Sequence, residues 1–385
     1  MIYLDNAATS FPKPEGVYQA LDHFARRSLA NPGRAGHRMA MAAERAMDDC
    51  RHRLNQLFHG RGPERFAFTL NCTDALNMAF KGVLLEGDHV ITSDLEHNSV
   101  SRPLRRMQKD GHISLTRIRA DGGGTVDPDA FREAITPATR LIALTHASNV
   151  LGTIQPIAEV GKIAREHGAL FLVDASQTAG TVPIDLETSS IDLLAFPGHK
   201  SLLGPTGTGA LYAGPRAEVR AWREGGTGGD SSSETHPTGL PHSLEGGTPN
   251  LLGVAGLAAG IRYLVDRGID EIRRHELALT ERLRQRLEEL GGYRIFGHRD
   301  PSRRVGTLSF MSELIPAEEL GVILDQAFDI AVRPGLHCAP DTHRAMGTFP
   351  EGALRVSPGA FSTEEDIDAL VFALEEIASS SPLQP

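Results

Sequence analysis

The sequence has no long hydrophobic run. Its longest clearly apolar stretch, residues 251–261, is far shorter than the roughly 20 residues that a membrane-spanning helix needs. The first six residues, Met1 to Asn6, contain neither the basic region nor the apolar region of a secretory signal. Both absences argue against a membrane protein and against a secreted one. We therefore expect a cytoplasmic protein.

Cysteine is scarce, and clustered basic residues are missing. The three cysteines are widely spaced and form no CxxC pair, which argues against a disulfide framework and a structural zinc site. The net charge is -10, and no block of lysine or arginine stands out, which argues against a nucleic-acid partner. We expect no metal site and neither a nucleic-acid nor a membrane partner.

Length and periodicity indicate an α/β protein with more than one domain. A chain of 385 residues exceeds the size at which a single core usually stops growing. From about residue 65 onward, short apolar runs alternate with amphipathic helical patterns such as those at 73–85 and 157–167. This alternation predicts a mainly parallel sheet with a ligand site at the carboxyl ends of its strands. The predicted strands are 65–70, 89–93, 113–119, 141–146, 169–174, 191–196 and 209–213.

The pattern changes near residue 225. Residues 225–245 are rich in glycine and serine and lack periodicity, which fits a flexible surface loop as well as a functional lid. A second α/β pattern follows, and it predicts a large domain at 16–260 and a smaller one at 261–385, with residues 1–15 packing against the smaller domain. Its predicted helices are 251–265, 270–290, 317–327 and 364–379, and its predicted strands are 293–296, 305–310 and 329–333.

Lys200 and Asp174 point to a specific chemistry. Lys200 follows a predicted strand in a glycine-rich stretch, and Asp174 ends the preceding one. A lone lysine is usually a solvated surface charge, and an aspartate after a strand often only caps a turn. Together they supply the two groups that a pyridoxal phosphate (PLP) enzyme needs. These are an amine that forms an imine with the cofactor and a carboxylate that keeps the pyridine nitrogen protonated.

The chain resembles the class V aminotransferase group of fold-type I PLP enzymes, and within it the cysteine desulfurases and selenocysteine lyases. The resemblance implies an α/β fold-type I PLP-dependent transferase, with a mainly parallel seven-stranded sheet and a smaller C-terminal α/β domain. The motifs that carry it are Tyr3 to Ala8, Glu96 to Ser99, Ser148 to Thr153, Val173 to Gln177, Gly198 to Lys200, Gly246 to Asn250 and Gly335 to Ala339.

The resemblance implies a set of residues around the cofactor. Lys200 would bind PLP covalently, Asp174 would pair with the ring nitrogen, and Gln177 would hydrogen-bond the phenolic oxygen. His97 would stack on the ring and take part in proton transfer, and Asn149 would also contact the cofactor.

The cofactor phosphate is expected at Cys72 and Thr73, where a strand gives way to a helix N-terminus. The resemblance adds His199 and, from a second subunit, Thr248. This chain departs from many relatives by having Pro197 in place of a serine and Cys72 in place of a threonine. The phosphate contacts are therefore expected to rely more on backbone amides, Thr73 and His199.

Arg355, Asn149 and Asn6 are implied as the residues that bind an amino-acid substrate. A guanidinium suits the bidentate binding of an α-carboxylate. The residues by themselves leave alternatives open. His97 fits a hydrogen-bonded loop histidine, Asn149 fits a turn residue, and Arg355 fits a surface ion-pair partner.

Cys338 selects among the reactions that PLP allows. Proline and glycine before it and Ala339-Pro340 after it predict an exposed loop, whereas Cys50, in the helical stretch 42–57, is expected to be buried. A loop thiol acts as a nucleophile when its pKa is lowered from about 8.5, and the neighbouring His337 is a candidate for that task. The resemblance implies that Cys338 takes sulfur from L-cysteine as a persulfide and that L-alanine is released.

The same resemblance implies that Lys200, Cys338 and His97 are the catalytic residues of a homodimeric enzyme of sulfur metabolism, of the kind that serves iron-sulfur cluster assembly. The short stretch between Cys338 and Arg355 is similar to compact-loop desulfurases, so a sulfur-acceptor protein is expected to dock close to the pocket. Two alternatives stay open. One is a selenocysteine lyase or another class V aminotransferase, lyase or epimerase in which Cys338 is incidental. The other is a non-catalytic binding protein on a degenerate PLP fold.

Overall fold

The computed structural model describes residues 1–32, 36–227 and 232–380. Part of the stretch 225–245, for which the sequence leaves open a loop or a lid, lies outside these residues. Its described remainder contains turns but no helix or strand. Among the described residues, no helix is both long enough and apolar enough to cross a bilayer.

Strands and α-helices alternate along most of the described chain. The strands are β1 (Ile2–Tyr3), β2 (Phe66–Thr69), β3 (Asp88–Ser93), β4 (Ile113–Ile118), β5 (Thr139–Thr145), β6 (Leu170–Asp174), β7 (Leu193–Pro197), β8 (Gly209–Ala213), β9 (Tyr293–Ile295), β10 (Leu308–Ser312), β11 (Ile330–Ala331), β12 (Arg333–Gly335) and β13 (Ala353–Val356). The helices are α1 (Glu15–Arg27), α2 (Arg38–Leu57), α3 (Cys72–Val83), α4 (Asn98–Lys109), α5 (Pro128–Glu133), α6 (Ile157–Glu166), α7 (Leu251–Arg267), α8 (Ile269–Leu290), α9 (Ala317–Phe328), α10 (Pro340–Met346) and α11 (Glu364–Ser380).

Seven strands form one sheet in the order β2-β8-β7-β6-β5-β3-β4. From β7 to β4 each neighbouring pair is parallel, and β8 runs antiparallel to both β2 and β7. The prediction of a mainly parallel seven-stranded sheet is therefore confirmed, and each of its strands lies within two residues of its predicted bounds.

Helices cover both faces of this sheet, and the side chains of β6 show why its sequence is apolar throughout. Phe171 and Val173 enter the core under α2 and α7, whereas Leu170 and Leu172 enter the core under α3 and α4. Successive strand residues point to opposite faces. A strand buried on both faces therefore needs an unbroken apolar run, which ends only at Asp174.

A second, antiparallel sheet has the order β12-β13-β10-β9. Apolar residues of α8, α9 and α11 pack against it, and Leu4 belongs to the same core. β1 pairs with β11, which attaches the first residues to this part of the molecule. The predicted domain boundary after residue 260 lies inside α7, and the division into two domains stays a prediction.

The sequence is less informative in this second part. The predicted strand 305–310 corresponds to β10, which begins three residues later and ends two residues later, and the predicted strand 329–333 is divided into β11 and β12. β13 is not predicted, because its four residues, Ala353–Val356, show no alternation of polar and apolar side chains. Its antiparallel pairing with β10 and β12, rather than a local pattern, makes it a strand.

Candidate active site

Five strands of the large sheet bring the predicted site residues together. β2, β3, β5, β6 and β7 all point their carboxyl ends to one edge, where side chains surround a cavity of about 210 Å³. It is lined by Asn71, Cys72, Thr73, His97, Ser99, Thr145, Ala147, Asn149, Asp174, Ser176, Gln177, Pro197, His199 and Lys200. The cavity is thus at the edge where parallel α/β sheets bind ligands.

Lys200 lies three residues beyond β7, at the cavity. Its side chain is partly exposed, and its amine has no hydrogen bond or ion pair with the described residues. Desolvation lowers the pKa of Lys200, the nearby charge of Arg355 lowers it further, and Asp174 opposes both. A lowered pKa favours the neutral amine, which is the form that attacks a carbonyl carbon or takes up a proton.

Asp174 ends β6 and is 3% exposed. Its Oδ1 accepts hydrogen bonds from the backbone amide of Ser176 at 2.9 Å and from the thiol of Cys72 at 3.5 Å. Its Oδ2 has no hydrogen-bond partner among the described residues, and the residue lines the cavity. The carboxylate is therefore oriented on one oxygen and keeps the other available to a ligand.

His97 caps the N-terminus of α4 and lines the same cavity. Its Nδ1 accepts from the backbone amide of Ser99 at 3.1 Å, and the Ser99 hydroxyl lies 2.9 Å from Nδ1 and 2.8 Å from Thr73 Oγ1. Because an amide nitrogen can only donate, Nδ1 is the acceptor, and the proton of the neutral ring is on Nε2. Burial lowers the pKa of His97 to about 4, with Asp174 opposing and Lys200 reinforcing the shift.

Several groups that line the cavity suit an anion. α3 begins at Cys72, with Asn71 accepting from the Asp74 amide at 2.9 Å, and its first-turn amides have no acceptor within the helix. His199 Nδ1 is buried and unpaired among the described residues, and burial lowers the pKa of His199 to about 4. Pro197 also lines the cavity but offers no hydroxyl.

Gln177 separates this cavity from a smaller one of about 30 Å³. Its Nε2 donates to the carbonyl of Ala7 at 3.2 Å. Asn6 lines only the smaller cavity, where its Nδ2 donates to the carbonyl of Ser357 at 3.1 Å. The structure thus places Gln177 at the site but puts Asn6 behind it.

Arg355 is buried on β13 and is held from two sides. Its Nη2 donates to Asp5 Oδ1 at 2.6 Å, and its Nη1 donates to the carbonyl of Asn149 at 3.1 Å. Its Nε is buried and unpaired among the described residues. Asn149 lines the cavity, and its Nδ2 donates to the carbonyl of His337 at 2.7 Å. Arg355 and Asn149 are therefore in contact beside the cavity.

Cys338 is exposed in the turn between β12 and α10, as the sequence predicts, whereas Cys50 is buried. The Cys338 carbonyl accepts from the Asn98 amide at 2.7 Å, directly beside His97. His337 and Cys338 have φ angles of 51° and 57°, in the left-handed region that non-glycine residues rarely adopt. This turn therefore contacts the start of α4, next to the cavity-lining residue His97.

The structure does not support the suggestion that His337 lowers the pKa of the Cys338 thiol, because the His337 side chain is hydrogen-bonded elsewhere. Its Nε2 lies 2.9 Å from the carbonyl of Arg333, and its Nδ1 lies 3.2 Å from His343 Nε2. Because a carbonyl can only accept, His337 donates through Nε2 and accepts from His343 through Nδ1. Burial lowers the pKa of His337 to about 3, so at neutral pH it carries no charge that could stabilise a thiolate.

Thr248 is exposed and lines a different, larger cavity of about 1010 Å³. Within one chain it does not reach the site around Lys200. Besides Pro197, five lining residues were not among the predicted site residues, namely Asn71, Ser99, Thr145, Ala147 and Ser176. The sequence does indicate a role for Asn71, because an asparagine before a helical pattern is a common N-cap. No sequence pattern indicates the ion pair between Arg355 and Asp5, because 350 residues separate its partners.

The comparisons with known proteins agree with this geometry. Residues 2–370 match the family model described as aminotransferase class-V. A probable cysteine desulfurase of Methanothermobacter thermautotrophicus is 35% identical, over 98% of this chain and 94% of that protein. A cysteine desulfurase of Haloferax volcanii is 33% identical, over 97% of this chain and 89% of that protein.

Solved structures give the same result. The apo structure of a cysteine desulfurase from Thermococcus onnurineus superposes with a TM-score of 0.92 at 32% identity, covering 98% of this chain and 94% of that one. A cysteine desulfurase from Escherichia coli superposes with a TM-score of 0.89 at 30% identity, with the same coverage.

Proposed function

The chain belongs to the class V aminotransferase family, and on that premise we propose that it is a PLP-dependent cysteine desulfurase. It converts L-cysteine into L-alanine and takes the sulfur on Cys338 as a persulfide. The observation that carries the proposal is the exposed Cys338, whose carbonyl accepts from the Asn98 amide beside His97, a residue that lines the same cavity as Lys200 and Asp174.

The residues of the cavity fit PLP. A desolvated lysine amine without a partner suits a covalent bond, and a buried carboxylate with one free oxygen suits a protonated ring nitrogen. The unpaired Nδ1 of His199 and the start of α3 suit a phosphate group. When bound, PLP accepts electrons from the α-carbon of an amino acid and so makes the α-proton and the β-substituent labile.

Each residue then has a definite task. Lys200 would hold the cofactor covalently, Asp174 would pair with its ring nitrogen, and Gln177 would hydrogen-bond its phenolic oxygen. His97 would stack on the ring and take part in proton transfer, and Asn149 would also contact the cofactor. The amides of Cys72 and Thr73, together with His199, would contact the phosphate.

The substrate is held and activated by other groups of the chain. Arg355 binds the α-carboxylate through its guanidinium, with Asn149 beside it. Asn6, behind Gln177, supports this pocket through its bond to Ser357. Once it is released from the cofactor, the neutral amine of Lys200 would take the α-proton and return protons to the carbon skeleton.

Sulfur transfer balances without an external oxidant. The Cys338 thiolate attacks the sulfur of the substrate and forms a sulfur–sulfur bond. The carbon–sulfur bond breaks, and its electron pair stays with the carbon skeleton, which is protonated and leaves as alanine. The persulfide on Cys338 is then reduced by a thiol or passed to a sulfur-acceptor protein.

The test is anaerobic incubation of the purified enzyme with L-cysteine, with alanine measured and persulfide on Cys338 detected by mass spectrometry. We expect Cys338→Ala to keep the visible absorption of the cofactor and to lose sulfide production. Lys200→Ala should lose the absorption as well, and Cys50→Ala, which removes a cysteine outside the site, should retain both. Stoichiometric alanine without a persulfide would overturn the proposal.

We further propose a homodimer. Thr248 lies on an exposed segment beside a large cavity and outside the site of its own chain. It can therefore contribute to a phosphate site only from a second copy. Sedimentation of the purified protein tests this directly, and a monomer with full activity would contradict it. A cytoplasmic location and a part in iron-sulfur cluster assembly remain predictions.

A further inference from the structure

A cleft of about 650 Å³ opens between the edge strand β4 and α10, the helix that follows the Cys338 turn. Its lining residues are Asp94, Leu115, Arg117, Arg119, Ala120, Asp341, Arg344 and Ala345. Leu115, Arg117 and Arg119 alternate along the chain at β4 and so share one face of it. We call this feature the arginine cleft.

The arginine cleft presents positive charge to solvent. Arg105, Arg117 and Arg344 all pair with the single carboxylate of Asp341, whose side chain is 9% exposed, while their own side chains are 40% to 50% exposed. Arg119 is exposed and has no ion pair within the described residues. The carboxylate thus lies beneath the guanidinium groups, and four arginines face two aspartates.

This local charge contrasts with the rest of the molecule. The whole chain has a net charge of -10, so a generally acidic protein has concentrated arginines at one place. Such a patch raises the local concentration of negatively charged partners and orients them as they approach. The apolar side chain of Leu115 and the methyl group of Ala345 interrupt the charges, which suits a protein surface better than a continuous row of phosphates.

The arginine cleft is connected by the chain and by hydrogen bonds to the turn that carries Cys338. Asp341 lies three residues after Cys338, a distance that the chain spans in at most about 11 Å. Thr342 Oγ1 donates to the carbonyl of Asp94 at 3.3 Å, and the Asn98 amide at the start of α4 donates to the Cys338 carbonyl. A partner seated in the cleft therefore lies within reach of the thiol.

We propose that the arginine cleft is the docking surface for an acidic segment of the protein that accepts sulfur from Cys338. The inference rests on the proposed function, because an acceptor protein needs to dock here only if Cys338 carries a persulfide. The acceptor presents aspartate or glutamate side chains to Arg117 and Arg119, and a thiolate of the acceptor attacks the outer sulfur of the persulfide. That sulfur moves to the acceptor, and Cys338 is regenerated as a thiolate.

The test has two arms, of which the first needs no catalysis. Full-length Cys338→Ala protein is titrated into a dye-labelled peptide that carries four glutamates, and binding is followed by fluorescence anisotropy. We expect Arg117→Glu/Arg119→Glu to weaken binding at least tenfold. The charge-matched control Arg274→Glu/Arg299→Glu, which changes two exposed arginines outside the cleft, should not weaken it.

Raising the salt from about 0.1 M to about 1 M shortens the screening length from about 10 Å to about 3 Å and should abolish the binding. Equal binding by the cleft variant and the control would overturn the proposal. So would equal binding of a peptide with four lysines, or tighter binding of a short single-stranded RNA to the same arginines.

The second arm uses the enzyme with Cys338 intact. After loading with L-cysteine, transfer of sulfur to a peptide with one cysteine and four glutamates should be at least tenfold slower in Arg117→Gln/Arg119→Gln. Alanine production with dithiothreitol, and the thermal unfolding midpoint, should not change in this variant. Loss of alanine production in the unsubstituted enzyme would instead sink the proposed function, while the binding arm would still decide the docking site.

Discussion

The thiol of Cys72 donates a hydrogen bond to Oδ1 of Asp174, with the sulfur and oxygen 3.5 Å apart. Both side chains are buried at the carboxyl edge of the large sheet. Burial, reinforced by the negative charge of Asp174, raises the pKa of Cys72 well above its ordinary value. Cys72 is therefore a protonated donor that orients the carboxylate, and only its backbone amide remains for a phosphate.

We expect an alkylating agent to distinguish the three cysteines of the native protein. Cys338 is exposed, whereas Cys50 and Cys72 are buried and desolvation raises the pKa of each. Because the thiolate is the reactive form, Cys338 should react at least about 100-fold faster than the other two. Peptide mapping after timed exposure to iodoacetamide measures the three rates. Comparable labelling of Cys72 and Cys338 would contradict the structure, and unfolded protein, in which all three should react, is the control.

His343 should make the protein sensitive to acid. Burial lowers its pKa from 6.5 to about 4. Between these two pH values the unfolded chain therefore binds a proton that the folded chain does not bind. The stabilising effect of the neutral form is complete above pH 6.5 and is lost as the pH falls toward 4. This one histidine should cost about 2 kcal/mol of unfolding free energy at about pH 5 relative to pH 7.

The measurement is urea unfolding at both pH values. His343→Gln keeps a donor and an acceptor for His337 and Thr348 but does not titrate. Its loss of stability between the two pH values should be smaller than that of the unsubstituted protein by that amount. Replacement of the exposed His112 by glutamine serves as the control, and an equal pH dependence of all three proteins would refute the assignment.

Glu276 should have the opposite pH dependence. It is buried on α8, where its Oε2 accepts from Thr181 Oγ1 at 3.1 Å, and desolvation raises its pKa from 4.5 to about 7. Its contribution to stability is complete below pH 4.5 and is lost as the pH rises through 7, because the unfolded chain ionises first. Glu276→Gln should therefore raise the free energy of unfolding at about pH 8 by up to about 3 kcal/mol, with little change at about pH 4. Thermal unfolding at both pH values checks this, and an equal gain at both would exclude titration as the cause.

Arg355→Lys should impair substrate binding more than turnover. Lysine keeps the positive charge but loses the planar fork that contacts Asp5 and Asn149 and that a carboxylate needs for two parallel hydrogen bonds. We expect KM for L-cysteine to rise at least about tenfold while kcat falls less. Steady-state alanine production gives both constants, and cofactor absorption controls for loss of PLP. A fall in kcat at unchanged KM would show that Arg355 does not bind the ground-state carboxylate.

The sequence was most informative where local pattern and topology coincide. Asp174 and Lys200 each follow a strand that is apolar throughout, and consecutive parallel strands place their carboxyl ends at one edge. The proximity of these two residues therefore followed from the strand assignments alone. The exposure of Cys338 followed in the same way from the proline and glycine residues around it.

Contacts between distant segments could not be predicted from local sequence patterns. Nothing local indicates that Asp5 binds Arg355, that Asn98 binds the Cys338 carbonyl, or that Arg105 meets Asp341. The direction of a side chain was equally hidden. The His337 ring contacts His343, and no local pattern indicates that contact or the left-handed backbone at His337 and Cys338.

The sequence by itself thus determined the secondary structure of the large sheet and the strand ends that Asp174 and Lys200 follow, since periodicity and strand termini are local properties. Only the tertiary structure decided that the Cys72 thiol donates a hydrogen bond to Asp174, that His337 stays neutral and that arginines from three separate elements surround one buried carboxylate. Those outcomes depend on burial and on the meeting of remote segments, which no local pattern records.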